Sequence, residues 1–310
     1  MGHIHEALKK AGIVGEGKRN QSPPDGSTST IDVEQVNRRS GTARDLLGVL
    51  PQTVLNAVTP ERRLELIEIA SENLFNEAQL RPDPRLVAFS QPRSLACEQY
   101  RVLRTKLIHA AQKDSVQVIV ITSASIEEGK TTTSINLAQI MAQNKDSRTL
   151  LIEADLRRAQ ICQKLGLNAR LPRGLTGVLR GQCEPEDAII KLEPYRLYIL
   201  PVENHPDNPA ELLTSRQMGQ VLNKLRAYFD FILIDTPPLI PVTDPNVVIN
   251  LADGFILVIR ANVTPYRLVE SALSRIGSGN VLGVVLNGAD TIAPAGYSYY
   301  YRYAERDRDK

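Results

Sequence analysis

Between residues 116 and 287 the chain carries six short, almost continuously apolar runs: "VQVIVITS", "TLLIEA", "LYILP", "FDFILID", "DGFILVIR" and "VLGVVLN". Strands that face water on one side alternate apolar with polar residues. Uninterrupted runs of this length instead suit strands covered on both faces, as in parallel sheets. Helical stretches separate the runs, including "SLACEQYRVLRTKLIHAAQ" ahead of the first. Strands alternating with helices predict an α/β fold, a mostly parallel sheet with helices on both faces, spanning about residues 85–290.

The remainder of the 310 residues reads differently. Ile4, Ala7, Leu8 and Ala11 recur at helical spacing before Gly12, so residues 1–14 are expected to form a short amphipathic helix. Residues 15–45 are polar and rich in Pro, Gly and Ser, with little to bury, which predicts a flexible linker and a partly disordered N-terminal region. Residues 46–84 are poorly defined, because "RRLELIEIASENLF" begins with strand alternation and then takes on helix composition. After about residue 290 the chain leaves the sheet pattern. Five of its ten tyrosines then follow, Tyr297, Tyr299, Tyr300, Tyr301 and Tyr303, interleaved with arginine at a spacing that suits neither helix nor strand packing. Residues 291–310 are therefore expected to be a flexible tail.

Two stretches compete as phosphate-binding loops. "GIVGEGK", residues 12–18, satisfies GxxxxGK letter for letter, yet it follows a helix, runs into the linker, and has Arg19 where a metal-binding hydroxyl belongs. "VIVITSASIEEGKTTTSINLAQ" departs from the motif, with Ala124 at the first glycine position, but it has the required context: a strand, a turn, then an amphipathic helix. A phosphate loop works because the strand delivers the backbone into a tight turn and the next helix points its free N–H groups at the anion. Context decides for the second stretch. Lys130 is the candidate for the β and γ phosphates and Thr131 for Mg²⁺. Ser125, Glu128, Gly129 and Thr132 complete the candidate nucleotide-binding loop.

Carboxylates at two other strand ends complete the pattern. "FILIDTPP" closes on Asp235, and "LLIEADLRRAQ" presents Glu153 and Asp155. Ligands of open α/β sheets bind at the C-terminal ends of the strands, so Lys130, Glu153, Asp155 and Asp235 are the candidate catalytic residues. Thr131, Asp155 and Asp235 are the candidate metal ligands, and the cofactors expected are ATP and Mg²⁺. Asn287, ending "VVLN", is a candidate nucleotide contact only by resemblance, its place being similar to that at which related ATPases contact the base, and an asparagine after a strand is as often a turn former.

These residues resemble the bacterial tyrosine kinases of capsular and exopolysaccharide biosynthesis, a branch of the P-loop proteins, over about residues 83–303. "LLIEADLRR" is similar to the family's second acidic motif, "ILIDTPP" to its Walker B segment, and "GLTGVL" and "LPVENHPDNPAELLTS" to its connecting segments. The resemblance implies an ATP-dependent autokinase of the separate type, without a membrane-spanning activator domain. It implies that the terminal tyrosines are the autophosphorylated cluster, and that Glu98, Arg101 and Arg104 of "EQYRVLR" mediate subunit contact in a homo-oligomeric ring. It further implies a membrane chain-length regulator as activator and a cognate tyrosine phosphatase. The chain departs from the family at Ile126-Glu127, where Pro-Gly is common, and at Glu153, where Asp is common. Glu127 replaces a glycine where positive φ is wanted and sets another carboxylate beside a polyanion.

A net charge of +2 gives no electrostatic footprint for nucleic acid, and no nucleic-acid partner is expected. Three cysteines without CxxC spacing fit ordinary reduced thiols. No apolar run approaches the roughly 18–20 residues that span a bilayer. The expected location is cytoplasmic, with recruitment to the membrane's inner face by a partner. Two other readings remain open. One is a Min/Par-type regulatory ATPase, against which stand the tyrosine tail and Ser125 where that class carries an extra lysine. The other is a nucleotide-binding adaptor whose activity was lost through Glu127.

Overall fold

A computed structural model describes residues 74–167, 171–240, 242, 244–276 and 280–289. The expected first helix, the linker and the tyrosine tail lie outside the described residues, as does most of the segment 46–84. The end of that segment contributes a short strand, β1 (Leu74–Asn76), and a 3-10 turn over Glu77–Gln79. A single helical turn follows, α1 (Val87–Ser90), and then the long helix α2 (Leu95–Asp114). Ser94 starts α2 by accepting the Cys97 N–H on its hydroxyl at 3.2 Å, satisfying one donor that the first turn leaves unpaired.

The apolar runs become strands: β2 (Val118–Ser123), β3 (Thr149–Glu153), β5 (Leu197–Leu200), β6 (Phe231–Asp235), β7 (Gly254–Arg260) and β8 (Val281–Asn287). Between β3 and β5 lies β4 (Ile190–Glu193), which the sequence reading did not identify. Helix α3 (Lys130–Ala142) joins β2 to β3, and α4 (Ile161–Leu165), α5 (Leu175–Leu179) and α6 (Pro185–Ala188) lead from β3 to β4. Helices α7 (Pro209–Thr214) and α8 (Arg216–Leu225) precede β6, α9 (Asp244–Leu251) precedes β7, and α10 (Tyr266–Arg275) precedes β8.

The eight strands form one sheet in the order β1-β4-β5-β3-β6-β2-β7-β8. All pairs are parallel except β4 with β5, so the sheet is mostly parallel as expected. Strand residues divide by parity between two cores. Val118, Val120, Leu150, Ile152, Ile232 and Ile234 pack with α5, α8, α9 and α10 on one face. Ile119, Ile121, Leu151, Leu233, Ile256 and Val258 pack with α2, α3 and α4 on the other. This two-sided burial is the physical reason that the runs are not alternating. Among the described residues no helix is long and apolar enough to cross a membrane.

Candidate active site at the ends of the central strands

Strands β3, β6 and β2 lie side by side, and their registers bring Glu153 opposite Asp235 and Asp235 opposite Ile121. The carboxylates at two strand ends therefore flank the loop that leaves the third. From Ser123 the chain turns through Ala124–Glu128 into α3, whose N-cap is Gly129 in the left-handed region at φ +90°. A Cβ at Gly129 would lie 2.0 Å from Asn287 Nδ2, so only glycine fits. No side chain caps the first turn of α3, which leaves its N–H groups for a ligand.

Five polar side chains meet here. Lys130 Nζ donates to Asp155 Oδ2 at 2.7 Å and lies 4.0 Å from Asp235 Oδ2. Thr131 Oγ1 donates to Asp235 Oδ2 at 2.7 Å, and Ser134 Oγ donates to Asp235 Oδ1 at 3.0 Å. Burial works against the charge on Lys130, but the Asp235 and Asp155 carboxylates outweigh it and raise its pKa. Burial likewise raises Asp235, against the opposing pull of Lys130 and of the Thr131 and Ser134 hydroxyls. Ser134 was absent from the sequence reading. Its position three residues after Thr131 puts it on the same helix face, a signal that spacing alone carries.

Glu153 turns elsewhere. Its Oε1 accepts the N–H groups of Gln160 at 2.5 Å and Ile161 at 2.6 Å, and its Oε2 accepts Val202 N–H at 3.2 Å. The carboxylate therefore serves the start of α4, with no bond to Lys130. Burial pushes its pKa up to about 7, outweighing the backbone donors. It borders a cavity of about 140 Å³ lined also by Cys162, Val202, Glu203 and His205. Glu203, which the sequence reading did not name as a site residue, accepts Gly177 N–H at 2.7 Å and Thr176 N–H at 3.2 Å, so it ties "LPVENHP" to "GLTGVL".

Within the phosphate loop the candidate contacts take two kinds of role. Gly129, Lys130, Thr131 and Thr132 open the helix that faces the site. Glu128 is buried, its Oε2 accepting Ser125 N–H at 2.9 Å and its Oε1 accepting the Thr264 hydroxyl. Asn287 Nδ2 donates to the Glu128 carbonyl at 2.9 Å. Glu127 is exposed and sits at φ +61°, the left-handed conformation that a glycine would adopt freely.

The subunit-contact candidates have partners within the chain. Arg101 pairs with Glu98 one turn back and donates to the Pro92 carbonyl at 2.6 Å. Arg104 donates to the Ile140 carbonyl at 3.0 Å and so joins α2 to the end of α3. The five tail tyrosines lie outside the described residues.

An uncapped helix N-terminus after a strand, a hydroxyl on a buried aspartate and a lysine between two carboxylates are groups with the chemistry to hold a metal–nucleotide complex. Hydroxyl and carboxylate oxygens are the hard donors that Mg²⁺ takes, and it leaves room for substrate phosphates among its ligands. Residues 116–276 match a family model described as an AAA domain. The chain is 35% identical over 217 residues to the tyrosine-protein kinase YwqD of Bacillus subtilis, covering 69% of this chain and 90% of that protein. It is 32% identical over 215 residues to the tyrosine-protein kinase CpsD of Streptococcus agalactiae, covering 69% and 92%. Among solved structures, the kinase domain of the Escherichia coli tyrosine kinase ETK superposes with a TM-score of 0.62 at 27% identity, covering 76% of this chain and 97% of that one.

Proposed function

Because the chain belongs to the bacterial tyrosine-protein kinases, we propose that it transfers the γ-phosphoryl group of ATP to its own C-terminal tyrosines, 297, 299, 300, 301 and 303, between subunits of a homo-oligomer. The observation that carries this reading is the meeting of Lys130 with Asp155 and of Thr131 with Asp235 at the mouth of an uncapped helix.

The chemistry asks for positioning and charge neutralisation more than for covalent catalysis. Thr131 and Asp235 would hold Mg²⁺, which when bound neutralises charge on the phosphates. Lys130 neutralises the β and γ phosphates after exchanging its contact with Asp155 for one with the nucleotide. That exchange frees an Asp155 oxygen to accept the phenol proton, a useful step because tyrosine, with a pKa near 10, is a weak nucleophile until deprotonated. Asp155 is suited to it, since its other oxygen is held by Arg158 N–H at 3.0 Å. Glu153, committed to three backbone donors, shapes the acceptor side of the site.

The same reading makes the chain a regulator of capsule or exopolysaccharide synthesis and export, working with a membrane chain-length regulator and a tyrosine phosphatase and recruited by the first to the membrane. Phosphate on each tyrosine adds about −1.5 to −2 charges at pH 7, so phosphorylated tails repel one another and the acidic edge of the site, and the assembly loosens. The test mixes a Lys130→Met chain with an intact-site chain lacking residues 295–310, adds ATP and Mg²⁺, and maps phosphate by mass spectrometry. Phosphate on the tail of the Lys130→Met chain is expected. Phosphate chiefly at Tyr100, Tyr195 or Tyr228, or none despite bound ATP and activator, would overturn the autokinase reading.

A further inference from the structure

We propose that Asn287 and Thr264 are positioning residues that latch the phosphate loop into its binding shape by holding Glu128. The proposal rests on the nucleotide site described above and adds to it the residues that preform it.

Glu128 is 3% exposed and every one of its oxygens has a donor. Ser125 N–H holds Oε2 from within the loop, the Thr264 hydroxyl holds Oε1 from the segment after β7, and the Asn287 amide holds the main-chain carbonyl from the end of β8. The two outside donors are themselves fixed. Thr264 Oγ1 accepts Arg260 N–H at 3.1 Å, and the Asn287 carbonyl accepts Ala261 N–H at 2.8 Å. The β7–β8 edge of the sheet thus grips the loop at one residue, immediately before the glycine and lysine that face the phosphates.

The Asn287 amide has a second task. Its Nδ2 occupies the space that a Cβ on Gly129 would fill. The group that supports the carbonyl before the helix therefore also packs against the helix N-cap. One N–H of the amide is thereby directed at the loop backbone, so the side chain acts on the loop whatever base the nucleotide carries. Glu128, with all three oxygens engaged, likewise acts as a strut of the loop and does not contact phosphate.

A loop held in one shape before its ligand arrives binds more tightly than one that must find that shape, because apparent affinity is scaled by the competent fraction. If removing one latch bond leaves the loop competent about one-tenth to one-fifth of the time, affinity falls about five- to tenfold. The loss should be the same for every ligand carrying the phosphates, whatever its base.

The experiment measures dissociation constants of the full chain for Mg-ATP, Mg-GTP and Mg-tripolyphosphate by calorimetry, with thermal melts to verify folding. Asn287→Ala and Thr264→Val are each expected to weaken all three by about the same five- to tenfold factor. Thr264→Ser, which keeps the hydroxyl, is expected to retain wild-type affinity. Loss of ATP affinity in Asn287→Ala with tripolyphosphate unchanged would make Asn287 a base reader and overturn the proposal. Wild-type affinity in Thr264→Val would overturn it too. A wild-type chain that binds none of the three ligands would instead remove the nucleotide site itself, and the latch with it. Absence of tyrosine phosphorylation in a chain that binds all three would count only against the kinase reading.

Discussion

Lys130 Nζ rests 2.7 Å from Asp155 Oδ2, a contact between the first residue of α3 and the residue two beyond the end of β3. The lysine is thus held at a carboxylate, and in the proposed function binding a nucleotide means exchanging one anionic partner for another. Lys130→Met should weaken Mg-ATP binding by at least about thirtyfold, the lower end of what truncating one member of a desolvated charge pair costs, and should abolish tyrosine phosphorylation. Calorimetry and phosphotyrosine mass spectrometry check both. Unaltered binding would assign the phosphates to another loop. Lys18→Met, in the decoy motif, should change neither.

Glu127 adopts φ +61° while exposed beside the phosphate loop. A left-handed conformation costs an ordinary L-residue about 1–2 kcal/mol, part of which glycine returns through its greater freedom in the unfolded chain. Glu127→Gly should therefore stabilise the fold by about 0.5 kcal/mol and also tighten ATP binding by removing a like charge. Glu127→Ala removes the charge but keeps the strained backbone, so it should improve binding without the gain in stability. Chemical denaturation and calorimetry on the two variants separate the causes. If neither variant binds ATP more tightly, the loop has adapted to glutamate.

Glu153 gives a pH dependence of definite sign. Its carboxyl titrates near 4.5 when unperturbed and at about 7 in the fold. Between those values the folded chain keeps a proton that the unfolded chain has lost, so stability falls as pH rises from about 4.5 to 7, by on the order of 3 kcal/mol in total. Glu153→Gln should flatten that part of the curve. The slope is the measurement, since a glutamine amide placed among backbone donors also lowers absolute stability. An unchanged slope would mean that Glu153 is ionised throughout.

Arg104 and the Glu98–Arg101 pair should separate on mutation. Arg104→Ala removes the bond to the Ile140 carbonyl and should cost about 1 kcal/mol of folding stability. Glu98→Ala with Arg101→Ala removes a partly exposed i, i+3 pair worth only about 0.2–0.5 kcal/mol, together with the Arg101 bond to the Pro92 carbonyl, worth about 1 kcal/mol. If these two residues serve subunit contact, that double variant should sediment as a smaller species while remaining folded. An unaltered sedimentation profile would leave them as an intrahelical pair.

The parallel sheet was legible in the sequence because burial on both faces forces a strand to be apolar at every position, a signal local to each run. The strand–turn–helix unit around Gly129, Lys130 and Thr131 was legible for a similar reason: its parts are contiguous in the chain, so these three residues arrive together. Strand β4 was not, since "IKLE" is short and half polar and pairs antiparallel to β5. Nor was the division of labour among the acidic residues. Glu153, Asp155 and Asp235 carry the same charge at the same kind of strand end, and only packing aims Glu153 at the N–H groups of Gln160, Ile161 and Val202 while the others meet Lys130. The partnership of Glu128 with Thr264 and Asn287 spans 136 and 159 residues of chain. Sequence determines what lies within a few residues of a strand end, because backbone geometry carries the chain only that far. Which distant donor meets a buried oxygen depends on strand order and on the need to satisfy every polar group taken out of water, and the tertiary structure alone decides that.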